Sequence, residues 1–224
     1  MPEVSESARY RAVLFDLDGT FADTAPDLAA AVNRMRVDRG LEALPLARLQ
    51  PMASHGARGL LQTGFGIGPD AADFEAMRQE FLANYARDIC VHTRVYPAVA
   101  ALVERLAQRG IPWGIVTNKV AALTQPLVAA LALPWAPGCV ISGDSAARPK
   151  PAPDSLLLAA DTLGVAGSAC IYLGDDARDI QAARAAGMGA VAVAYGYGGG
   201  TPPHAWGADM VLDDPGELIT LGFV

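Results

Sequence analysis

Two carboxylates, Asp16 and Asp18, stand one residue apart directly after the apolar run Ala12-Val13-Leu14. A β-strand points successive side chains to opposite faces, so the two acids share a direction only if the strand ends between them. Gly19 permits the sharp exit that such an ending needs. Acids crowded at one strand end repel, and a divalent cation is the usual relief. A plain Asp-Gly turn has the same letters, so this pair alone decides nothing.

Three further polar clusters stand at the ends of three later strands. Thr117-Asn118-Lys119 comes after Gly114-Ile115-Val116, Lys150-Pro151-Ala152-Pro153 precedes a helical pattern, and Gly174-Asp175-Asp176-Ala177-Arg178-Asp179 follows Ile171-Tyr172-Leu173. Singly, each could be a helix cap or a turn. Together and in this order they mark one end of a sheet.

The elements that would position them are legible from about Tyr96 onward. Strands at 113–117, 139–142, 169–173, 190–194 and 209–212 alternate with helices at 97–109, 120–131, 153–163 and 178–186. The helix at 120–131 is expected to kink or break near Pro126. Strands alternating with helices imply an α/β fold, a Rossmann-like parallel sheet covered on both faces. Residues 24–90 break the alternation with helical stretches at 26–39, 46–61 and 71–86. The expected division is therefore a core of residues 1–23 and 91–224, with a helical cap domain of residues 24–90 inserted after the first strand. Ligands of open α/β sheets bind at the carboxyl ends of the strands, where the cap would lie over the acidic pair.

The four clusters in this order resemble the haloacid dehalogenase-like superfamily, in its branch of small phosphatases with a helical cap. The resemblance runs from Arg11 to about Leu218. Within the branch the chain looks most like phosphoglycolate phosphatases and N-acetylmuramic acid 6-phosphate phosphatases. The resemblance implies a nucleophile at Asp16, an acid/base at Asp18, a phosphoryl-binding hydroxyl and neighbouring amide at Thr117 and Asn118, and a steadying cation at Lys150. It also implies Mg2+ held by Asp16, the Asp18 carbonyl and Asp175, with Asp179 in support. Asp176 either supports that shell or caps the next helix, and the supporting role is adopted here. The cap loop Ser54-His55-Gly56-Ala57-Arg58 lies where the branch has its specificity loop, so Ser54, His55, Gly56 and Arg58 are candidate contacts to a substrate carboxylate. A solvated role for Arg58 and a surface role for His55 remain open. Phe21 departs from the more usual aliphatic residue.

These roles are chemically coherent. An anionic nucleophile attacks a phosphate monoester only once the phosphoryl charge is neutralised, which a dication and Lys150 would do. Attack by Asp16 gives an aspartyl-phosphate, and Asp18 would protonate the leaving alcohol and later deprotonate water. Holding that proton calls for apolar surroundings, expected from Phe15, Leu17 and Phe21. A residue such as Asp18 also favours phosphoryl transfer over carbon–halogen cleavage.

The expected activity is Mg2+-dependent hydrolysis of a small carboxylated ester such as 2-phosphoglycolate. N-acetylmuramic acid 6-phosphate or another sugar phosphate is the alternative. A phosphomutase and a non-catalytic binding protein are weaker readings, the latter because the chain keeps Asp16, Asp18, Lys150 and Asp175. A net charge of −7 argues against a nucleic-acid partner. No apolar stretch reaches membrane-spanning length, and Met1 to Arg11 is polar, without the apolar centre of a leader. Cys90, Cys139 and Cys170 read as reduced, and His92 and His204 as structural. A cytoplasmic enzyme, monomeric or weakly dimeric, is expected.

Overall fold

The computed structural model describes residues 9–198 and 200–223. The reading of the first eight residues as lacking an apolar leader therefore lies outside the described residues, as does Gly199. In chain order the elements are β1 (Ala12–Phe15), β2 (Ala22–Asp23), α1 (Ala25–Asp38), α2 (Leu46–Leu49), a 3-10 turn (Gln50–His55), α3 (Gly56–Phe65), α4 (Phe74–Arg87) and β3 (Arg94–Val95). There follow α5 (Pro97–Arg109), β4 (Trp113–Val116), α6 (Ala121–Ala130), β5 (Cys139–Ile141), α7 (Asp154–Leu163), β6 (Cys170–Gly174), α8 (Ala177–Ala185), β7 (Gly189–Val193), β8 (Met210–Leu212) and α9 (Glu217–Thr220).

Six strands form one parallel sheet in the order β5-β4-β1-β6-β7-β8. Every residue of β1 is buried because both faces are covered. Val13 and Phe15 meet α5 residues Val99, Leu102 and Leu106 on one side. Ala12 and Leu14 meet Leu156 of α7 and Ile180 of α8 on the other. Strands buried on both faces read as unbroken apolar runs, which is why this part of the fold shows in the sequence. After β5 the chain returns across the sheet to place β6 on the far side of β1. The strand order thus reverses at β1 and β6, the position where such sheets open a ligand crevice.

Helices α1, α3 and α4 pack on a core of their own, with Leu28, Val32, Met35, Leu60, Leu61, Met77, Phe81 and Tyr85 buried together. Two local expectations are corrected. Residues 46–61 do not form one helix: Pro51 falls in the 3-10 turn, and Gly56 takes φ 56°, a backbone conformation that closes the turn before α3 begins. Helix α6 runs unbroken through Pro126. The antiparallel pair β2 and β3, two residues each, carries no alternation to read and joins the helical segment to the sheet. Among the described residues no helix is long and apolar enough to cross a membrane.

Candidate active site

Strand β1 stops at Phe15, and the chain turns back on itself through residue 22. Phe21 N–H donates to the Asp16 carbonyl at 3.1 Å, and Ala22 N–H to that of Leu17 at 3.0 Å. Gly19 makes the reversal at φ 80°, and a Cβ there would sit 2.2 Å from Asp175 Oδ2. The turn therefore needs glycine both for its backbone angle and for the closeness of that carboxylate. Asp16 N–H still bonds the Leu173 carbonyl of β6 at 2.9 Å, so Asp16 and Asp175 leave adjacent parallel strands side by side.

Lys150 reaches the same point from the loop after β5. Its ammonium, with a side chain 3% exposed, lies 2.8 Å from Asp16 Oδ1, 2.7 Å from Asp179 Oδ1 and 2.7 Å from the Tyr172 hydroxyl. Burial alone would strip its proton, but Asp16 and Asp179 more than offset that and hold it above the usual lysine range. Asn118 fixes the backbone of this lysine. Its side-chain oxygen accepts from Lys150 N–H, and its amide donates to the Lys150 carbonyl, both at 2.9 Å. The Asn118 side chain is thus engaged in holding Lys150, which leaves its backbone N–H as the group that could meet a phosphoryl oxygen. Thr117 is buried at the end of β4 and lines the same cavity.

Carboxylate oxygens of Asp16, Asp175 and Asp179 lie within 4.8 Å of one another. Burial pushes the Asp16 carboxyl up to about 7, Lys150 pulling against it and Asp179 and Asp18 adding to it. Burial, with Asp16 and Asp179 beside it, drives Asp175 well above the ordinary carboxylate range. Buried acids under such mutual repulsion, offering only oxygen, fit a hard dication. Asp175 is further gripped by Ser54 Oγ at 3.1 Å, Tyr197 N–H at 2.8 Å and Thr20 Oγ1 at 3.3 Å. Ser54, expected only over the substrate, thus also touches the acidic cluster.

The Asp18 carboxylate turns away from this cluster toward polar partners. Thr24 Oγ1 donates to its Oδ1 at 2.5 Å, and Lys119 Nζ stands 3.0 Å from the same oxygen. The apolar surroundings expected from Phe15, Leu17 and Phe21 are not there. Those side chains point into the core beneath, where Phe21 stacks on Trp113 at 5.5 Å.

Asp176 caps the next helix, the other of its two expected roles. It accepts from Arg178 N–H at 2.9 Å while Asp179 accepts from Asp176 N–H, closing a capping box at the start of α8. It also pairs with Arg178 at 2.8 Å, and Arg178 donates to the Ser54 carbonyl at 2.8 Å. His55, Gly56 and Arg58 line the cavity between the helical segment and the sheet, where His55 Nδ1 is buried without a partner. Sequence reasoning assigned no role to Lys119, Thr24, Tyr172 or Arg178. Of these only Lys119 had a signal: the chain has two lysines, Lys119 and Lys150, against fifteen arginines.

The family model described as haloacid dehalogenase-like hydrolase matches residues 10–187. The chain belongs to the haloacid dehalogenase-like hydrolases. It is 46% identical over 211 residues to a phosphoglycolate phosphatase of Xanthomonas campestris pv. campestris, covering 93% of this chain and 94% of that one. An N-acetylmuramic acid 6-phosphate phosphatase of Pseudomonas putida is 41% identical over 211 residues, covering 94% and 95%. A crystal structure from Haemophilus somnus, described as a predicted phosphoglycolate phosphatase, superimposes with a TM-score of 0.83 at 26% identity, covering 96% and 98%. The protein is a phosphoric monoester hydrolase of the phosphoglycolate phosphatase-like kind. The buried carboxylates of Asp16, Asp175 and Asp179 at its strand ends could hold a divalent metal, which such hydrolases generally use.

Proposed function

We propose that the protein is a Mg2+-dependent phosphomonoesterase that hydrolyses a small carboxylated phosphate ester through an aspartyl-phosphate on Asp16. The observation that carries this reading is the contact of the Lys150 ammonium with both Asp16 and Asp179 at the reversal point of the sheet, beside Asp175. Asp16, Asp175 and the Asp18 carbonyl would hold the ion, with Asp179 in support. When bound, Mg2+ neutralises phosphoryl charge and so lets an anionic carboxylate approach.

Lys150 supplies the second positive charge and holds Asp16 in line. A carboxylate oxygen of Asp16 attacks phosphorus while the bond to the ester oxygen breaks, and Asp18 gives its proton to the departing alkoxide. Water then attacks the phosphorus of the aspartyl-phosphate, Asp18 takes its proton, and inorganic phosphate leaves with Asp16 restored. The Thr117 hydroxyl and the Asn118 amide bind the phosphoryl oxygens. Residues 24–90 act as the cap, and its loop Ser54 to Arg58 reads the substrate carboxylate through Arg58, with Ser54, His55 and Gly56 shaping the contact. The enzyme works on a small molecule in the cytoplasm, as a monomer or weak homodimer.

A second substrate reading has its own support. The cavity measures about 430 Å³, and its lining includes the apolar side chains of Leu28, Phe74, Phe81, Leu82 and Leu123 as well as Lys119 and Lys150. A two-carbon ester leaves most of that apolar lining uncovered, whereas N-acetylmuramic acid 6-phosphate brings a ring, an acetyl group and a carboxylate.

The test is phosphate release from 2-phosphoglycolate, N-acetylmuramic acid 6-phosphate, N-acetylglucosamine 6-phosphate and glucose 1-phosphate. Carboxylated esters should react fastest, with activity lost on chelation and in Asp16→Asn. Equal rates on N-acetylglucosamine 6-phosphate would remove the carboxylate from the reading. Isomerised sugar phosphate without released phosphate would make the protein a mutase.

A further inference from the structure

Lys119 is one of only two lysines in a chain that otherwise carries its positive charge on arginine, and the reaction described above gives it no task. Its side chain is 8% exposed and its partner Asp18 is 14% exposed. The ammonium lies 3.0 Å from Asp18 Oδ1, 3.0 Å from the Tyr85 hydroxyl and 4.4 Å from the centre of the Tyr85 ring. Tyr85 belongs to α4 and is buried among the helices of residues 25–87. Lys119 itself follows the end of β4, and its N–H bonds Thr117 Oγ1 at 3.1 Å. One residue therefore joins three places: its ammonium touches the acid/base and the helical segment, and its backbone N–H touches the phosphoryl-binding strand end.

We propose that Lys119 is a positioning residue for the acid–base step: with Thr24 it holds Asp18 Oδ1 so that Oδ2 alone serves the substrate, and through Tyr85 it ties that orientation to α4. The inference rests on the acid–base role given to Asp18 above. Because Thr24 and Lys119 approach the same oxygen, the carboxylate can neither rotate nor exchange its oxygens without breaking two contacts. Burial also keeps Lys119 there, since leaving would strand an unpaired charge in a poorly hydrated space. A compact ammonium suits this junction: it meets a carboxylate oxygen, a hydroxyl and a ring face at once, where a planar guanidinium would spread its donors. The coupling to α4 means that Asp18 is fully oriented only when the helical segment is seated on the sheet, which restricts proton transfer to the state in which water is excluded.

The variant that tests this is Lys119→Met, with Tyr85→Phe as the milder change that keeps the ring. Displacing a reacting group by about 1 Å costs on the order of 100-fold. On the best alkyl ester of the panel above, Lys119→Met should lower kcat about 100-fold and leave KM within about threefold. Tyr85→Phe should lower kcat about tenfold at unchanged KM, as half of the tether remains.

The aryl ester p-nitrophenyl phosphate separates positioning from general damage. Its leaving group needs no proton, so enzyme phosphorylation should survive in Lys119→Met while dephosphorylation, which needs Asp18 as base, slows. The ratio of initial burst to steady release of p-nitrophenolate should then widen about 100-fold over the unaltered protein.

A raised KM at unchanged kcat would place Lys119 on the substrate and overturn the proposal. Equal slowing of both phases would also overturn it. If Lys119→Met shows no cooperative melting, Tyr85→Phe decides, and an unchanged kcat sinks the tether. An unaltered protein that releases phosphate while Lys119→Met keeps its kcat refutes the lysine alone. An unaltered protein inactive on every ester removes the acid–base assignment as well.

Discussion

Asp27 offers a sharp test of how the helical segment is anchored. Its carboxylate, 3% exposed on α1, accepts from His92 N–H at 3.0 Å to either oxygen, Thr93 N–H at 2.8 Å and Thr93 Oγ1 at 2.7 Å. Those donors belong to the strand of chain that returns from α4 toward β3, so Asp27 pins the exit of the segment to its first helix. In Asp27→Ala the His92 amide can turn to water, but the two Thr93 donors stay buried without an acceptor. Each orphaned buried donor costs about 1–3 kcal/mol, which gives a loss of about 4 kcal/mol. Asp27→Asn keeps one acceptor oxygen and should lose about half as much, roughly 2 kcal/mol. With a urea slope of about 2 kcal/mol/M, the alanine midpoint falls by about 2 M and the asparagine midpoint by about 1 M. Urea unfolding followed by circular dichroism reads both. An alanine shift below about 0.5 M at unchanged slope would refute the reasoning, and an asparagine as damaging as alanine would show that charge, not acceptor count, holds the linker.

Other consequences can be checked on the same protein. Gly19→Ala forces a Cβ to 2.2 Å from Asp175 Oδ2, so Mg2+ affinity measured by calorimetry should fall at least tenfold, with turnover falling in parallel. Asn118→Ala frees the Lys150 backbone and should cost on the order of 10–100-fold in kcat, read by phosphate release. In chelating buffer the Asp16 carboxyl binds its proton more tightly folded, up to about 7, than unfolded. Its contribution is thus most favourable below the unfolded value and is lost as pH rises toward 7 and beyond. Thermal melting should therefore drop between pH 5 and pH 8 without Mg2+, and millimolar Mg2+ should narrow the gap. An equal melting temperature at both pH values would place the acidic cluster in water.

The sheet was readable because its strands are short apolar runs buried on both faces, such as Ala12–Phe15 and Cys170–Gly174, and because Gly110 and Gly164 end their helices. Asp16 and Asp175 were readable because each follows such a run in a recognised order, and they meet because β1 and β6 are neighbours; Lys150 was readable from that order alone, since it comes from the loop after β5, with β4 between that strand and β1. What escaped depends on side chains meeting across long stretches of chain. Thr24 and Ala25 donate their backbone N–H groups to the Tyr197 hydroxyl, 173 and 172 residues away, and no local pattern marks that partner. Asp18 is the instructive case. Its neighbours Phe15, Leu17 and Phe21 are near in sequence but turn into the core, while Lys119 and Thr24 fill the space around it. The 3-10 turn at Gln50–His55 was masked because apolar residues continue at helical spacing across Pro51.

Lys150 and Asp16 are 134 residues apart in the chain, and β6 must slide in beside β1 before Asp175 can join them. Closing so long a loop is entropically late in folding. A growing polypeptide therefore emerges with its nucleophile made first and idle, and becomes competent only as the final strands arrive. Truncated copies that end before β6 would carry Asp16 without Asp175 and Asp179 beside it.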